Sequence, residues 1–300
     1  MTASSAILSD IPPPRANDDE PATGRPADDA PITVVIQSRN RPLYLWASLD
    51  GLFRHTKFPH RFVLVDMASE DPLVRQVVRG FERRGMFSEV VWLPRNSWSE
   101  LCAFLEQRLT ALGEYAAYVE SDVIVAETEP CWLSIFAGLM HANPRLAMLG
   151  SVIDKRDFVD LESALQLSPE KPIDELHDLI KWLSPERGQD PAQARGSPIF
   201  RPHNPAGRLL MMRTDAVRET GLWADGTFDR KMSERGYKTG IATQVRHRHL
   251  SLLHIYDYPD YDYEQRHAFY KPGTEAAGTG EAVRIGMPKG SGNRCVCALR

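Results

Sequence analysis

The chain reads as an α/β protein built on a doubly wound, mostly parallel sheet with helices on both faces. Three observations carry this. Four β-branched runs alternate with amphipathic helical patterns between residues 31 and 126. The runs are continuously apolar rather than alternating, as strands covered on both faces are. Polar residues collect just after each run, at the strand ends where such sheets bind ligands.

In order along the chain, residues 1–30 are rich in Pro, Ala and Asp and are expected to be a disordered tail. ITVVIQS (Ile32–Ser38) is the first strand. Pro42 then opens a helix through LYLWASLDGLFRHT, whose Leu45, Leu49, Leu52 and Phe53 recur at three- and four-residue spacing. RFVLVDM is the second strand, PLVRQVVRGFERRG the second helix and SEVVWLP the third strand. SWSELCAFLEQRLTALG is a helix capped by Ser97 or Ser99. YAAYVESDVIV is the fourth strand, with Glu120-Ser121-Asp122 at its end. A helix over PCWLSIFAGLMHANP and a strand over RLAMLGSVI follow. Residues 154–200 hold the helical DELHDLIKWLS inside a polar, Pro-containing stretch, which reads as an insertion or mobile region. NPAGRLLMMRTDAVRETGLW gives a strand and a short helix. DRKMSERGYKTGIATQVRHRHL gives a helix stopped by Gly236, then a strand ending in histidines. Past Tyr270 the chain turns to Gly, Pro and small residues and is expected to fray.

The whole composition narrows the function classes. With 300 residues, 42% hydrophobic and 25% charged, the chain fits a globular protein with a sizeable core. Its net charge of −4 offers no basic field for nucleic acid. No apolar run approaches the roughly 20 residues of a transmembrane helix. The N-terminus lacks the basic start and apolar core of a secretory signal. Cys102 and Cys131 fall in apolar helical patterns and read as small core residues. Cys295 and Cys297 have no second Cys or His pair nearby, which argues against a zinc site. These features together predict a reduced, cytoplasmic chain.

Neither a GxGxxG turn nor a GxxxxGK[ST] loop follows the first strand, which disfavours an ordinary dinucleotide or P-loop fold. The strand ends carry other chemistry: Gln37-Ser38-Arg39-Asn40-Arg41, Asp66-Met67-Ala68-Ser69-Glu70-Asp71, Arg95-Asn96 and Glu120-Ser121-Asp122. An unpaired buried carboxylate is costly. Two carboxylates suit a hard divalent cation whose remaining positions a diphosphate fills. The plain alternative has Asp122 capping a turn and Glu120 facing water.

Four of these motifs, in order, resemble the family 2 glycosyltransferases. An apolar strand followed by Ser38-Arg39-Asn40-Arg41-Pro42 stands where the family has P-T-Y-N-R. Asp66, Ser69 and Asp71 match its second motif, V-D-D/N-x-S-x-D. Glu120-Ser121-Asp122 falls where it has D-x-D. ADGTFDRKMSERGYK looks like E-D-x-D-L-x-x-R-x-x-x-x-G-Y-R/K, with Phe228 at the Leu position and Lys231 at the Arg position. The similarity covers about residues 31–255.

The resemblance implies a single GT-A domain over 31–258, with 154–205 an acceptor-side insertion and 259–300 a partly flexible extension. It implies transfer of a sugar from a UDP- or GDP-sugar to an acceptor hydroxyl. Ser38 and Arg39 would line the base and ribose pocket beside Asn40, and Asp66 would bind the base. Glu120 and Ser121 would face the ribose or sugar. Asp122 would bind Mn²⁺ or Mg²⁺, and His249 would lie near the metal or diphosphate. Asp225 would be the base of an inverting reaction. The chain departs from the pattern at Arg39, Glu120 and Ala224. Asp229 is a rival base, and Asp225 could serve as a helix cap. His247 and His254 are rivals of His249, and strand or core roles fit any of the three. The segment His254–Tyr270 fits an acceptor site, a packed surface segment or an oligomer contact. A non-catalytic nucleotide-sugar-binding relative, a nucleotidyltransferase on a similar fold and a retaining mechanism stay open as alternatives.

Overall fold

In the computed structural model, the described residues are 30–154, 162, 165–166, 194–201, 208–222 and 225–250, without the side chain of Asp225. The tail 1–29, most of the 154–205 insertion, His254 and the aromatic run up to Tyr270 lie outside them.

The first half is a chain of regular βα units. Strand β1 (Ile32–Ser38) leads to helix α1 (Pro42–His55), then β2 (His60–Met67), α2 (Pro72–Glu82), β3 (Phe87–Leu93), α3 (Trp98–Arg108) and β4 (Tyr115–Glu120). Each helix starts for a local reason. Pro42 sits at the first position of α1. The Asp71 carboxylate caps α2 by accepting from the Leu73 N–H at 2.8 Å, and Ser97 caps α3 through the Glu100 N–H at 3.3 Å.

The second half adds β5 (Val123–Val125), α4 (Trp132–Ala142), β6 (Leu146–Ile153), β7 (Ile199–Phe200), β8 (Leu209–Arg213), α5 (Thr214–Thr220), α6 (Asp225–Glu234) and β9 (Lys238–His249). All nine strands join one sheet of order β3-β2-β1-β4-β8-β6-β9-β5, with β7 beside β9. Strands β1 to β4 run parallel, β8 is antiparallel to both its neighbours, and β6 and β9 return to the common direction. Residues of β1 alternate between two cores. Val34 and Ile36 face Leu45, Leu49, Val78, Trp132 and Phe136 of α1, α2 and α4. Val35 faces Leu101, Leu105, Val217 and Met232 of α3, α5 and α6. Helices therefore cover both faces.

Three sequence expectations need correction. YAAYVESDVIV is two strands: the chain turns at Ser121-Asp122, and β5 crosses to pair antiparallel with β9 at the far edge. The polar Glu120-Ser121-Asp122 marks the end of a strand but cannot reveal that the apolar residues after it change partner. Phe53 does not join Leu45, Leu49 and Leu52 in the core; it is exposed and meets the Phe81 ring edge-on. Cys131 is buried, but Cys102 is only half-buried.

Candidate functional site

The turn between β4 and β5 sets the candidate site. The Glu120 N–H donates to the Arg208 carbonyl at 3.0 Å, which ties the end of β4 to the start of β8. The Leu250 N–H donates to the Asp122 carbonyl at 2.8 Å, and Val123 pairs with His249. Two edges of the turn are thus pinned by strands from the far part of the chain. As a result Glu120, Asp122 and His249 converge, with one ligand atom from each within 4.8 Å of the others.

Two arginines balance these acids. Arg41 Nη1 lies 3.3 Å from Asp122 Oδ2, and its guanidinium stacks over Tyr44 at 4.0 Å. Arg41 can reach because the Asn40-Arg41 backbone is left-handed (φ 49° and 55°), which turns the chain at the helix entry. Arg208 is buried, with Nε 3.9 Å from Glu120 Oε2. His249 Nε2 lies 3.7 Å from the same Asp122 oxygen that Arg41 meets.

His247 is fully buried one pleat away. Ser151 Oγ donates to the Leu209 carbonyl at 3.2 Å and lies 2.7 Å from His247 Nδ1. The hydroxyl has one proton, so Nδ1–H donates to it and Nε2 carries a lone pair. Nε2 finds no hydrogen-bond partner among the described residues. Burial, then the nearby His249 and Arg208, holds the His247 pKa well below the ordinary imidazole value, against Asp122 and Asp154. It is a neutral core histidine rather than a member of the carboxylate cluster.

The ends of β1 and β2 form the neighbouring part. Asp66 is fully buried, and its two oxygens accept from the Ser69 N–H at 2.8 Å and Ser69 Oγ at 2.6 Å. Asn40 bridges the loops: its N–H donates to Ser69 Oγ at 2.6 Å, and its Oδ1 accepts from the Glu70 N–H at 2.8 Å. Ser38 Oγ and Arg39 Nη1 are buried without a hydrogen-bond partner among the described residues. Burial pulls the Arg39 pKa below its ordinary value, against Glu70 and Asp66, which raise it. Two buried donors without a partner among the described residues therefore sit next to a buried carboxylate.

Ser38, Arg39, Asn40 and Asp66 thus group together, and Glu120, Ser121, Asp122 and His249 group beside them. Gln37 pairs in register with Glu120 across β1 and β4, which links the groups. Asp225 opens α6, with its side chain outside the described residues. Asp229, the rival base, is buried and accepts a hydrogen bond from Thr239 Oγ1. Sequence reasoning missed Arg208 and the contact of Arg41. Arg208 had no local signal, because its role comes from β8 lying against β4. Nor did the contact of Arg41, because the left-handed backbone that brings its side chain to Asp122 is visible only in the structure.

No family model matches the sequence, and no curated protein does. Solved structures do match the fold. GalNAc-T7, solved with UDP, GalNAc and Mn²⁺, superposes with a TM-score of 0.52 at 13% identity, over 80% of this chain and 47% of that one. The mannosyltransferase PcManGT from Pyrobaculum calidifontis, in complex with GDP-Man and Mn²⁺, gives 0.50 at 18% identity, over 77% of this chain and 59% of that one. The chain spans about half the length of the first and under two thirds of the second. At these identities the likeness speaks for architecture, and it agrees with the sheet order and two-faced helix cover described above: this chain has the GT-A fold of nucleotide-sugar glycosyltransferases.

Proposed function

We propose that the protein is a metal-dependent glycosyltransferase that moves a sugar from a UDP- or GDP-sugar to an acceptor hydroxyl. The observation that carries this reading is the Glu120–Asp122–His249 cluster, with ligand atoms within 4.8 Å of one another at the strand ends of a GT-A sheet. The residues fit a cation. Ligand atoms bound at about 2.1 Å stand about 3 Å apart when adjacent and about 4 Å when opposed, so a small side-chain rotation closes the set. Glu120, Asp122 and His249 would hold it, and the imidazole favours Mn²⁺ over Mg²⁺. When bound, the cation supplies charge neutralisation at the departing diphosphate.

The chain's own residues do the rest. Asp66 accepts from a ring N–H of the base, and Ser38 and Arg39 supply donors to base and ribose. Asn40 keeps the two loops in register. Ser121 and Glu120 face the ribose or sugar. Asp225 removes the acceptor proton as its oxygen attacks the anomeric carbon, which inverts the configuration.

Calorimetric binding of UDP and GDP, each with and without Mn²⁺, tests the reading. One nucleotide is expected to bind, and only with metal. Binding of neither overturns it. If a nucleotide sugar binds but is neither transferred nor hydrolysed with metal present, the protein is a binding relative and not an enzyme.

A further inference from the structure

Every large hydrophobic side chain that is exposed among the described residues lies on α1 or α2: Leu43 at 42%, Trp46 at 49%, Phe53 at 42% and Leu73 at 45%. Chance scatter would spread such residues over the surface. The two helices lie side by side, joined by the edge-on contact of Phe53 with Phe81. Both link parallel strands, so both begin at the carboxyl edge of the sheet. Leu43, Trp46 and Leu73 occupy their first two turns, on the edge that holds the acid cluster. Arg41, which meets Asp122, directly precedes α1.

Beside this apolar group runs a column of charge. Arg75, Arg79 and Arg83 are four residues apart and all exposed; Arg79 and Arg83 lie on the side of α2 away from the buried Val74, Val78 and Phe81, and Arg75 turns to the β3 flank. Arg75 lies over the Trp92 ring at 4.1 Å, and none of the three has a carboxylate partner among the described residues. Arg84, just past the helix, adds a fourth cation, against three acids: Glu82 in the helix and Glu70 and the capping Asp71 at its start. On α1, Asp50 is neutralised by Arg54 at 2.8 Å. The face is therefore basic on a chain whose net charge is −4. Exposed Trp and Leu beside ranked arginines is the composition of a surface that lies on a bilayer interface. No helix among the described residues is long and apolar enough to cross a membrane, so attachment through this face is peripheral.

We propose that the outer face of α1 and α2 docks on an anionic lipid bilayer, which presents the acceptor hydroxyl to the site on a lipid. The docking rests on the surface alone; the acceptor class rests also on the transferase reading.

The experiment is sedimentation of the full chain with vesicles of phosphatidylcholine, alone or mixed with phosphatidylglycerol. Binding is expected only to the anionic vesicles, and it weakens with salt. Arg79→Gln with Arg83→Gln is expected to weaken it about fivefold per arginine, and Leu43→Ser with Trp46→Ser about tenfold or more. Calorimetry of nucleotide binding stays at the wild-type value in both pairs, and an unchanged melting temperature certifies their folds. Failure of the wild type to sediment, or variants that bind as it does, overturns the proposal. So does a wild-type dimer, broken by Leu43→Ser with Trp46→Ser, that ignores vesicles; the face would then join two copies. Vesicle binding without any nucleotide binding removes the transferase reading and leaves the docking surface standing.

Discussion

Strands β1 and β9 are both buried along most of their length, yet they are held in different ways. β1 has seven residues and two parallel neighbours, β2 and β4, reached through ordinary crossovers. β9 has twelve residues and touches β6, β7 and β5, two of them antiparallel, and it slips register opposite Ser151 and Val152. Around β1 the polar residues that group at the site come from loops adjacent in sequence. Around β9 they come from strands that meet only when the sheet is complete. The first arrangement gathers polar side chains from local turns. The second brings an imidazole to a distant carboxylate.

The sharpest test of this contrast is Asp122→Ala. It removes the carboxylate shared by Arg41 and His249, and Mn²⁺-dependent nucleotide binding is expected to fall by about a hundredfold or more. Calorimetry reads this directly, and an unchanged affinity would detach the β9 region from ligand binding. Next in size is a pair of glycines, one from each half. A Cβ at Gly240 in β9 would lie 2.6 Å from Ile199 Cγ2 and 3.0 Å from the Phe200 carbonyl. Gly240→Ala is expected to cost about 1–3 kcal/mol, seen as a melting temperature lower by several degrees. A Cβ at Gly80 in α2 meets nothing within 4 Å. Gly80→Ala is expected to stabilise by about 0.5–1 kcal/mol through helix propensity, so the two substitutions should move the melting temperature in opposite directions. Equal shifts would break the comparison. The smallest expected effect is at Arg41. Arg41→Gln takes a cation from Asp122, and Mn²⁺ without nucleotide is expected to bind about fivefold tighter by calorimetry. Weaker binding would mean that Arg41 orients the carboxylate rather than competing for it.

Much of the first half was legible in the sequence, because its strands and helices announce themselves by local apolar pattern, helped by a proline at one helix start and a serine cap at another. Pro42 and Ser97 mark helix starts that the structure reproduces, and Asp71 proves to cap the second helix as well. Ser38, Asn40, Asp66, Asp122 and His249 were legible as polar residues placed where strands end, and the fold brings them to one edge. The polar Glu120-Ser121-Asp122 marked a strand end, but the change of partner after it was not legible, because Val123–Val125 is as apolar as β4 and pairs with a strand more than a hundred residues later. Nor was the two-residue strand β7, which is too short to show a period. Arg208 stayed hidden for a third reason: a buried guanidinium is meaningful only beside its partner, and Glu120 reaches it through β4–β8 pairing.

The crossing of the chain at Ser121-Asp122 also bears on the order in which the molecule assembles. Among the described residues strand β5 pairs with β9 alone, and the Ser151–His247 contact closes over 96 positions. Contacts of that span form late, since their loop entropy must be met before they are rewarded. A nascent chain that has emerged only through β6 therefore carries an uncovered sheet edge, a hazard for wrong pairing with other chains. Asp122 and His249 become neighbours in that same closing step. A cation that binds them both, as proposed, would stabilise the closed sheet by mass action, and metal supply during synthesis would then bear on how much chain reaches it.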